Sequence, residues 1–181
     1  MRLFIALEPG DEFLESLLSG LLPLKERYPH LRWVPKENLH VTLAFLGELG
    51  EELLPLVKEA SQSAAGSGEI MAACEKLFTL PPRRDANILA LGFRRGGEEI
   101  ASLAAMVKKN LRAHSISSGG MEKGNFLPHI TLARKGREPI WLLNETPAFS
   151  AHGVFRTIKV YQSELLSSGA RYTALAAYSL V

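Results

Sequence analysis

The chain has 181 residues, 46% of them hydrophobic and 22% charged, with a formal net charge of +2. That length suits one domain with a real core, and the balance excludes a disordered or collagen-like chain. So small a positive charge does not by itself mark a nucleic-acid binder, although it does not repel an anionic substrate.

Leu3 to Leu7 is an apolar run that reads as a buried strand, ended by Glu8-Pro9-Gly10. Asp11 is expected to cap a helix whose Phe13, Leu14, Leu17, Leu18, Leu21 and Leu22 form one apolar face. Pro23 is expected to kink or interrupt that helix, and Pro29 to end the segment. Leu31 to Val34 reads as extended, Pro35 to Asn38 as a turn, and Leu39 to Leu46 as a strand closed by Gly47. A helix is expected from Glu51 to Ala65, then strands over Ile70–Leu80 and Asn87–Phe93 joined by a loop from Pro81 to Asp85. A third helix spans Glu98 to His114, and the Ser- and Gly-rich stretch from Ser115 to Gly124 reads as a mobile loop. The remaining expected strands are Phe126–Ala133, Phe149–Val154, Ile158–Glu164 and Tyr172–Leu180, with a turn at Ser167-Ser168-Gly169.

Cys74 is the only cysteine, which excludes an internal disulfide and a cysteine cluster for a metal. It reads as a small buried side chain. The opening segment is too short for a signal peptide, and no apolar run reaches the roughly 18 residues of a membrane span. A single cytoplasmic domain over residues 1–181 is expected, monomeric, with no cofactor, no metal and no membrane partner.

Two tetrapeptides carry the chemistry. His40-Val41-Thr42-Leu43 and His129-Ile130-Thr131-Leu132 repeat one pattern 89 residues apart, using two of the five histidines. In a strand, residues i and i+2 share a face, so each motif presents an imidazole and a hydroxyl together. A strand, a glycine turn, an amphipathic helix, a loop and a motif strand occur in that order from Leu3 to Leu43 and again from Leu89 to Leu132. This order predicts an α+β protein of two similar lobes. Two mainly antiparallel sheets flanked by helices would be related by a pseudo-twofold axis, with the motif strands meeting across a cleft.

Histidine's ordinary pKa near 6.5 lets one imidazole be neutral while another is protonated around pH 7. Two such groups on opposite sides of a phosphorus suit an in-line displacement, one as base and one as acid. The threonine hydroxyls then lie within reach of the non-bridging oxygens. A single His-x-Thr in an apolar strand is ordinarily just a core strand with a hydrogen-bonded polar face. Two copies in matching contexts favour function, because burying an imidazole and a hydroxyl unpaired is costly.

The chain resembles the two-histidine phosphoesterases, and more narrowly the bacterial and archaeal RNA 2′,3′-cyclic phosphodiesterases long called 2′-5′ RNA ligases. The resemblance rests on both motifs and on their flanks. These are the opening from Arg2 to Leu7, the segment from Trp33 to Glu48, Phe126 to Arg134, and Ser163 with Gly169 to Tyr172. It implies a bilobal fold with the site between the lobes. It implies that His40 is the proton donor and His129 the proton acceptor in opening a terminal 2′,3′-cyclic phosphate to a 2′-phosphomonoester. Thr42 and Thr131 would hold the phosphate, and reversal would give 2′-5′ ligation. RNA with cyclic ends, including tRNA fragments, or small cyclic nucleotides are the expected partners.

Arg134 is a candidate phosphate contact, and Phe45, Trp33, Phe126 and Tyr172 are candidates to stack a base. Arg83-Arg84, Arg94-Arg95 and Lys108-Lys109 are weaker candidates to guide an RNA backbone, since they are spread over separate elements and solvated surface explains them better. Two other readings remain open: a related enzyme for another cyclic nucleotide, an ADP-ribose cyclic phosphate or a 2′-5′ oligonucleotide, and a nucleotide- or RNA-binding module without turnover.

Overall fold

The apolar run near the N-terminus becomes the centre of the molecule. Leu3, Ile5 and Leu7 enter the main core, while Phe4 and Ala6 form a second, smaller cluster with Tyr161 on the opposite face of the same strand. Alternation of side chains across a pleated strand produces that division. The computed structural model describes residues 1–82, 85–117, 126–137, 140, 149–166 and 169–181. Within them the order is β1 (Arg2–Pro9), α1 (Asp11–Arg27), β2 (Arg32–Trp33), β3 (Val41–Glu48), α2 (Leu54–Gln62), β4 (Ile70–Leu80) and β5 (Ile88–Arg95). It continues with α3 (Gly97–Ala113), β6 (His129–Arg134), β7 (Ala151–Leu166) and β8 (Gly169–Ser179).

All strand pairings are antiparallel. The sheet order is β1-β3-β6-β5-β4-β7-β8, and β1 also pairs with β7, so six strands close into a ring. The expected α+β class and antiparallel strands are present. The two sheets, however, are joined into one eight-stranded sheet through two seams. One seam is β4 with β7, five register pairs from Ile70↔Phe155 to Cys74↔Ala151. The other is β3 with β6, a single pair, Val41↔Ile130. Exchanging β1 with β5, β3 with β6 and β7 with β4 leaves the ring's pairings unchanged, which is the connectivity two related halves require.

Helix α1 buries Phe13, Leu17, Leu21 and Leu24 against β7, and α3 buries Ile100, Leu103, Val107 and Leu111, packing on β3. Truncating any one of these leucines to alanine would cost about 2–5 kcal/mol. Gly153 of β7 has φ +149°, and a Cβ there would meet the Phe13 backbone nitrogen at 2.6 Å, so glycine lets the helix start touch the strand.

Five local expectations need correction. Asp11 is the first helical residue rather than the cap; Gly10 caps α1 without a side-chain bond, its N–H donating to Val154 O at 2.7 Å. The helix also runs through Pro23 to Arg27. Pro23 and Ser19, whose carbonyl it leaves without a helical donor, are both exposed, so water can satisfy that carbonyl. The two strands expected between Phe149 and Glu164 are one continuous β7, whose register with β1 skips exposed Arg156, between Thr157 and buried Phe155, without ending the strand. Phe126 to Pro128 precede β6 instead of belonging to it, and the second helix is a short α2 between 3-10 turns at Glu51–Leu53 and Ala65–Ser67. Most of the expected loop from Ser115 to Gly124, the Arg83-Arg84 pair and the Ser167-Ser168 turn lie outside the described residues.

Candidate active site

The single β3–β6 pair joins corresponding positions of the two motifs, since Val41 follows His40 and Ile130 follows His129. The flanking registers also correspond. Thr42 stands opposite Ala6 and Val41 opposite Leu7, while Thr131 stands opposite Ala90 and Ile130 opposite Leu91. Val41 and Ile130 are buried, whereas both histidines and both threonines are partly exposed. Strand alternation thus puts the aliphatic groups into the core and the polar groups on the open face.

Both imidazoles are held in the same way. His40 Nδ1 lies 2.8 Å from Asn38 O and His129 Nδ1 lies 2.8 Å from Leu127 O. A carbonyl only accepts, so each Nδ1 carries the proton and each Nε2 is left to exchange one. His40 Nε2 is 3.1 Å from Thr42 Oγ1. For each histidine the anchoring carbonyl belongs to the residue two positions earlier, so the orientation is built into the strand entry itself.

The surroundings of the two rings differ. His40 packs against Phe4 at 5.1 Å between centroids, Tyr172 at 5.7 Å and Tyr161 at 6.4 Å. The Tyr161 hydroxyl donates to Glu8 Oε1, and Lys159 Nζ lies 2.6 Å from Glu8 Oε2. Burial holds the His40 pKa below 6.5; the Asn38 carbonyl and the Glu8 carboxylate oppose that shift, while His129 and Arg134 add to it. Burial and the bond to Glu8 push the Tyr161 phenol upward, so it remains a donor. His129 has Phe78 at 6.2 Å, and residues flanking it (Leu127, Pro128, Gly92 and Phe78) line a separate depression.

A cavity of about 320 Å³ opens over the first motif. Of the residues singled out from sequence, His40, Thr42, Thr131, Arg134, Phe45 and Tyr172 line it. Trp33, Phe126 and the second histidine, His129, do not. Trp33 packs against the core and its indole N–H donates to Tyr28 O at 3.2 Å; Phe126 packs there too, with Lys108 Nζ 5.0 Å from its ring centre. Arg94 is likewise occupied, paired with Glu75 at 2.8 Å. The lining adds residues that pattern reading missed: Arg2, Phe4, Asn38 and Ser163. Arg2 sits 5.0 Å over the Phe45 ring. The missing signal was in β1, where Arg2, Phe4, Ala6 and Glu8 share one face inside an apparently uniform apolar run.

Among the described residues, no three or more His, Cys, Asp or Glu side chains gather to hold a metal, and no helix is long and apolar enough to cross a membrane. Burial pushes the Cys74 thiol up to about 12, which removes it as a nucleophile.

Known proteins resemble this chain over nearly its whole length. The model of the LigT-like phosphoesterase family matches residues 14–89. An RNA 2′,3′-cyclic phosphodiesterase of Thermus thermophilus is 31% identical over 199 residues, covering 99% of this chain and 90% of that protein. The chain belongs to the LigT-like phosphoesterase family. A Geobacillus stearothermophilus protein of the same name is 30% identical over 98% of this chain, which spans only 57% of that relative's length. Among solved structures, the crystal structure of a Thermus thermophilus protein superposes with TM-score 0.81 at 26% identity, covering 99% and 98% of the two chains. The ring of antiparallel strands described above is therefore a LigT-like phosphoesterase fold throughout.

Proposed function

We propose that this chain hydrolyses terminal 2′,3′-cyclic phosphodiesters of RNA to 2′-phosphomonoesters, with His129 as general base and His40 as general acid. The observation that carries the reading is the Val41↔Ile130 pair, which brings the two motifs together at equivalent positions with both Nδ1 atoms anchored. The relatives named RNA 2′,3′-cyclic phosphodiesterase support the choice of substrate.

His129 Nε2 takes a proton from water as its oxygen attacks phosphorus. The P–O3′ bond breaks, and His40 Nε2 delivers a proton to the departing 3′-oxygen. Thr42 and Thr131 donate to the non-bridging oxygens, whose charge grows in the transition state. Arg134 adds a fixed positive charge at the cavity edge. Phe45 and Tyr172 offer faces to the terminal base. His40 must be protonated to serve as acid, while its burial favours the neutral ring; a bound phosphate anion supplies the opposite charge that restores its proton. With a 5′-hydroxyl in place of water, the same steps in the same direction join RNA ends through a 2′-5′ bond.

The test is incubation with a cyclic-phosphate-ended oligonucleotide in the presence of chelator, followed by identification of the product. A 2′-phosphomonoester is expected, since every step uses side chains of this chain. A 3′-phosphomonoester product, or no turnover, would reject the reading.

A further inference from the structure

Next to the cleft lies a basic groove that the catalytic scheme leaves unused. It has a volume of about 530 Å³ and is lined by His30, Arg32, Gly136 and Arg137. We propose that this groove is a binding track for the sugar-phosphate backbone of single-stranded RNA, holding the nucleotides 5′ of the cyclic end. The inference rests on the phosphodiesterase reading above and extends it by assigning the substrate to oligonucleotides.

Three observations carry it. Arg32 and Arg134 are direct register partners on β2 and β6. Like charges placed opposite each other across antiparallel strands destabilise the pair. The five ion pairs among the described residues include neither of them, nor Lys135 or Arg137. A chain of net charge +2 thus gathers on one edge four cations without an ion pair among the described residues, where a polyanion would offset their repulsion.

The groove is also built rather than frayed. Arg32 Nε donates to Lys135 O at 3.0 Å, and Lys135 N–H donates to Asn87 O at 2.8 Å. A Cβ on Gly136 would stand 2.4 Å from His30 O, so glycine allows the segment after β6 to lie directly on the chain before β2. The backbone that carries Arg32 and Arg137 is thereby held at one groove, which both residues line.

Continuity with the cleft is the third point. Arg134 lines the catalytic cavity and pairs across the strands with Arg32, which lines the groove. An RNA chain whose last nucleotide occupies the cavity has its remaining nucleotides on the 5′ side. Passing Arg134, its phosphates meet Arg32 and then Arg137. Such contacts raise affinity without reading sequence.

The test compares a mononucleoside 2′,3′-cyclic phosphate with a short RNA oligonucleotide bearing the same end, using the full chain and the double variant Arg32→Gln/Arg137→Gln. On the oligonucleotide, kcat/KM is expected to fall about tenfold, mostly through KM, as two phosphate contacts are lost. Its log–log dependence on salt should flatten by about 1.4, at roughly 0.7 per single-strand phosphate. Turnover of the mononucleotide should stay within about twofold. Equal losses on both substrates, or no loss on either, would overturn the track. Arg137→Glu, in an exposed position, serves if the double variant misfolds, and is expected to show the same substrate-selective loss. If wild-type protein turns over neither substrate, the phosphodiesterase reading fails separately. Fluorescence anisotropy with an RNA ending in a 3′-phosphate then decides the track: salt-sensitive binding lost in the variant supports it, and unchanged binding rejects it.

Discussion

The two His-x-Thr motifs share a backbone frame and differ in what stands around them. Each pairs its threonine with an alanine and its aliphatic residue with a leucine on the neighbouring strand. Each anchors Nδ1 at 2.8 Å on the carbonyl two residues back. One step beyond those leucines, however, stand Glu8 in β1 and Gly92 in β5. Among the described residues, His40 has three aromatic rings and a carboxylate about it, and His129 has one ring. A repeated frame therefore fixes where two imidazoles sit, and the unrepeated neighbours make them chemically unequal. Acid–base catalysis by two like side chains needs that inequality.

The comparison can be broken most directly at the histidines. His40→Ala and His129→Ala should each lower kcat/KM by about 10²–10⁴. Opposite roles predict opposite changes in the pH–rate profile: His129→Ala should lose the acidic limb, where the base must be neutral, and His40→Ala the alkaline limb, where the acid must be protonated. Loss of the same limb in both variants would show that the motifs are not divided in this way.

The hydroxyls come next. Thr42→Val and Thr131→Val should each cost about 10²-fold in kcat if they donate to developing negative charge. Among the described residues Thr42 alone of the two threonines bonds a motif imidazole, through His40 Nε2 at 3.1 Å, so Thr42→Val alone should also displace the alkaline limb. Identical profiles in the two variants would remove that distinction.

Glu8→Gln probes the carboxylate present on one side alone. Glu8 raises the His40 pKa against burial, so its loss lets His40 deprotonate at lower pH. The alkaline limb should move down, with a loss that grows to several-fold as pH rises through that limb. An unmoved limb, with the fold intact by circular dichroism, would exclude Glu8 from His40's proton balance.

Smallest is the effect on stability. Because the folded His40 pKa lies below its ordinary value of 6.5, the unfolded chain takes up this proton first. The contribution to stability is intact above about pH 6.5 and declines as pH falls toward the folded value. Urea unfolding at pH 7 and pH 5 should show a shallower decline in His40→Asn than in wild type. An equal decline would mean that other groups dominate.

Much of this was legible in the residues. Periodicity located β1, β4, β5, α1 and α3, because their apolar spacing matches the faces they bury. The motif residues were legible since each pattern repeats intact. The wall around His40 was not. In β1 both faces are buried, one in the main core and one beneath the cleft, so Phe4 was indistinguishable from Leu3 or Ile5. Tyr161 and Lys159 come from β7, whose pairing with β1 joins residues such as Leu3 and Gln162. No local pattern encodes a contact of that range. Trp33 and Phe126 show the converse: aromatic character next to a motif says nothing about direction, and both turned into the core.

The pairing of β1 with β7 has a consequence for how the molecule is made. A ribosome releases β1 first, and β7 more than 140 residues later. Until β7 arrives, β1 keeps one unsatisfied edge on a nearly uninterrupted apolar strand, the kind of surface that recruits other chains. The ring around His40 also needs Tyr161 and Tyr172, so its pocket is among the last parts to be assembled. Nascent chains truncated before β7 should therefore depend most on chaperones, and the wall around His40 should be complete only once β8 has followed β7.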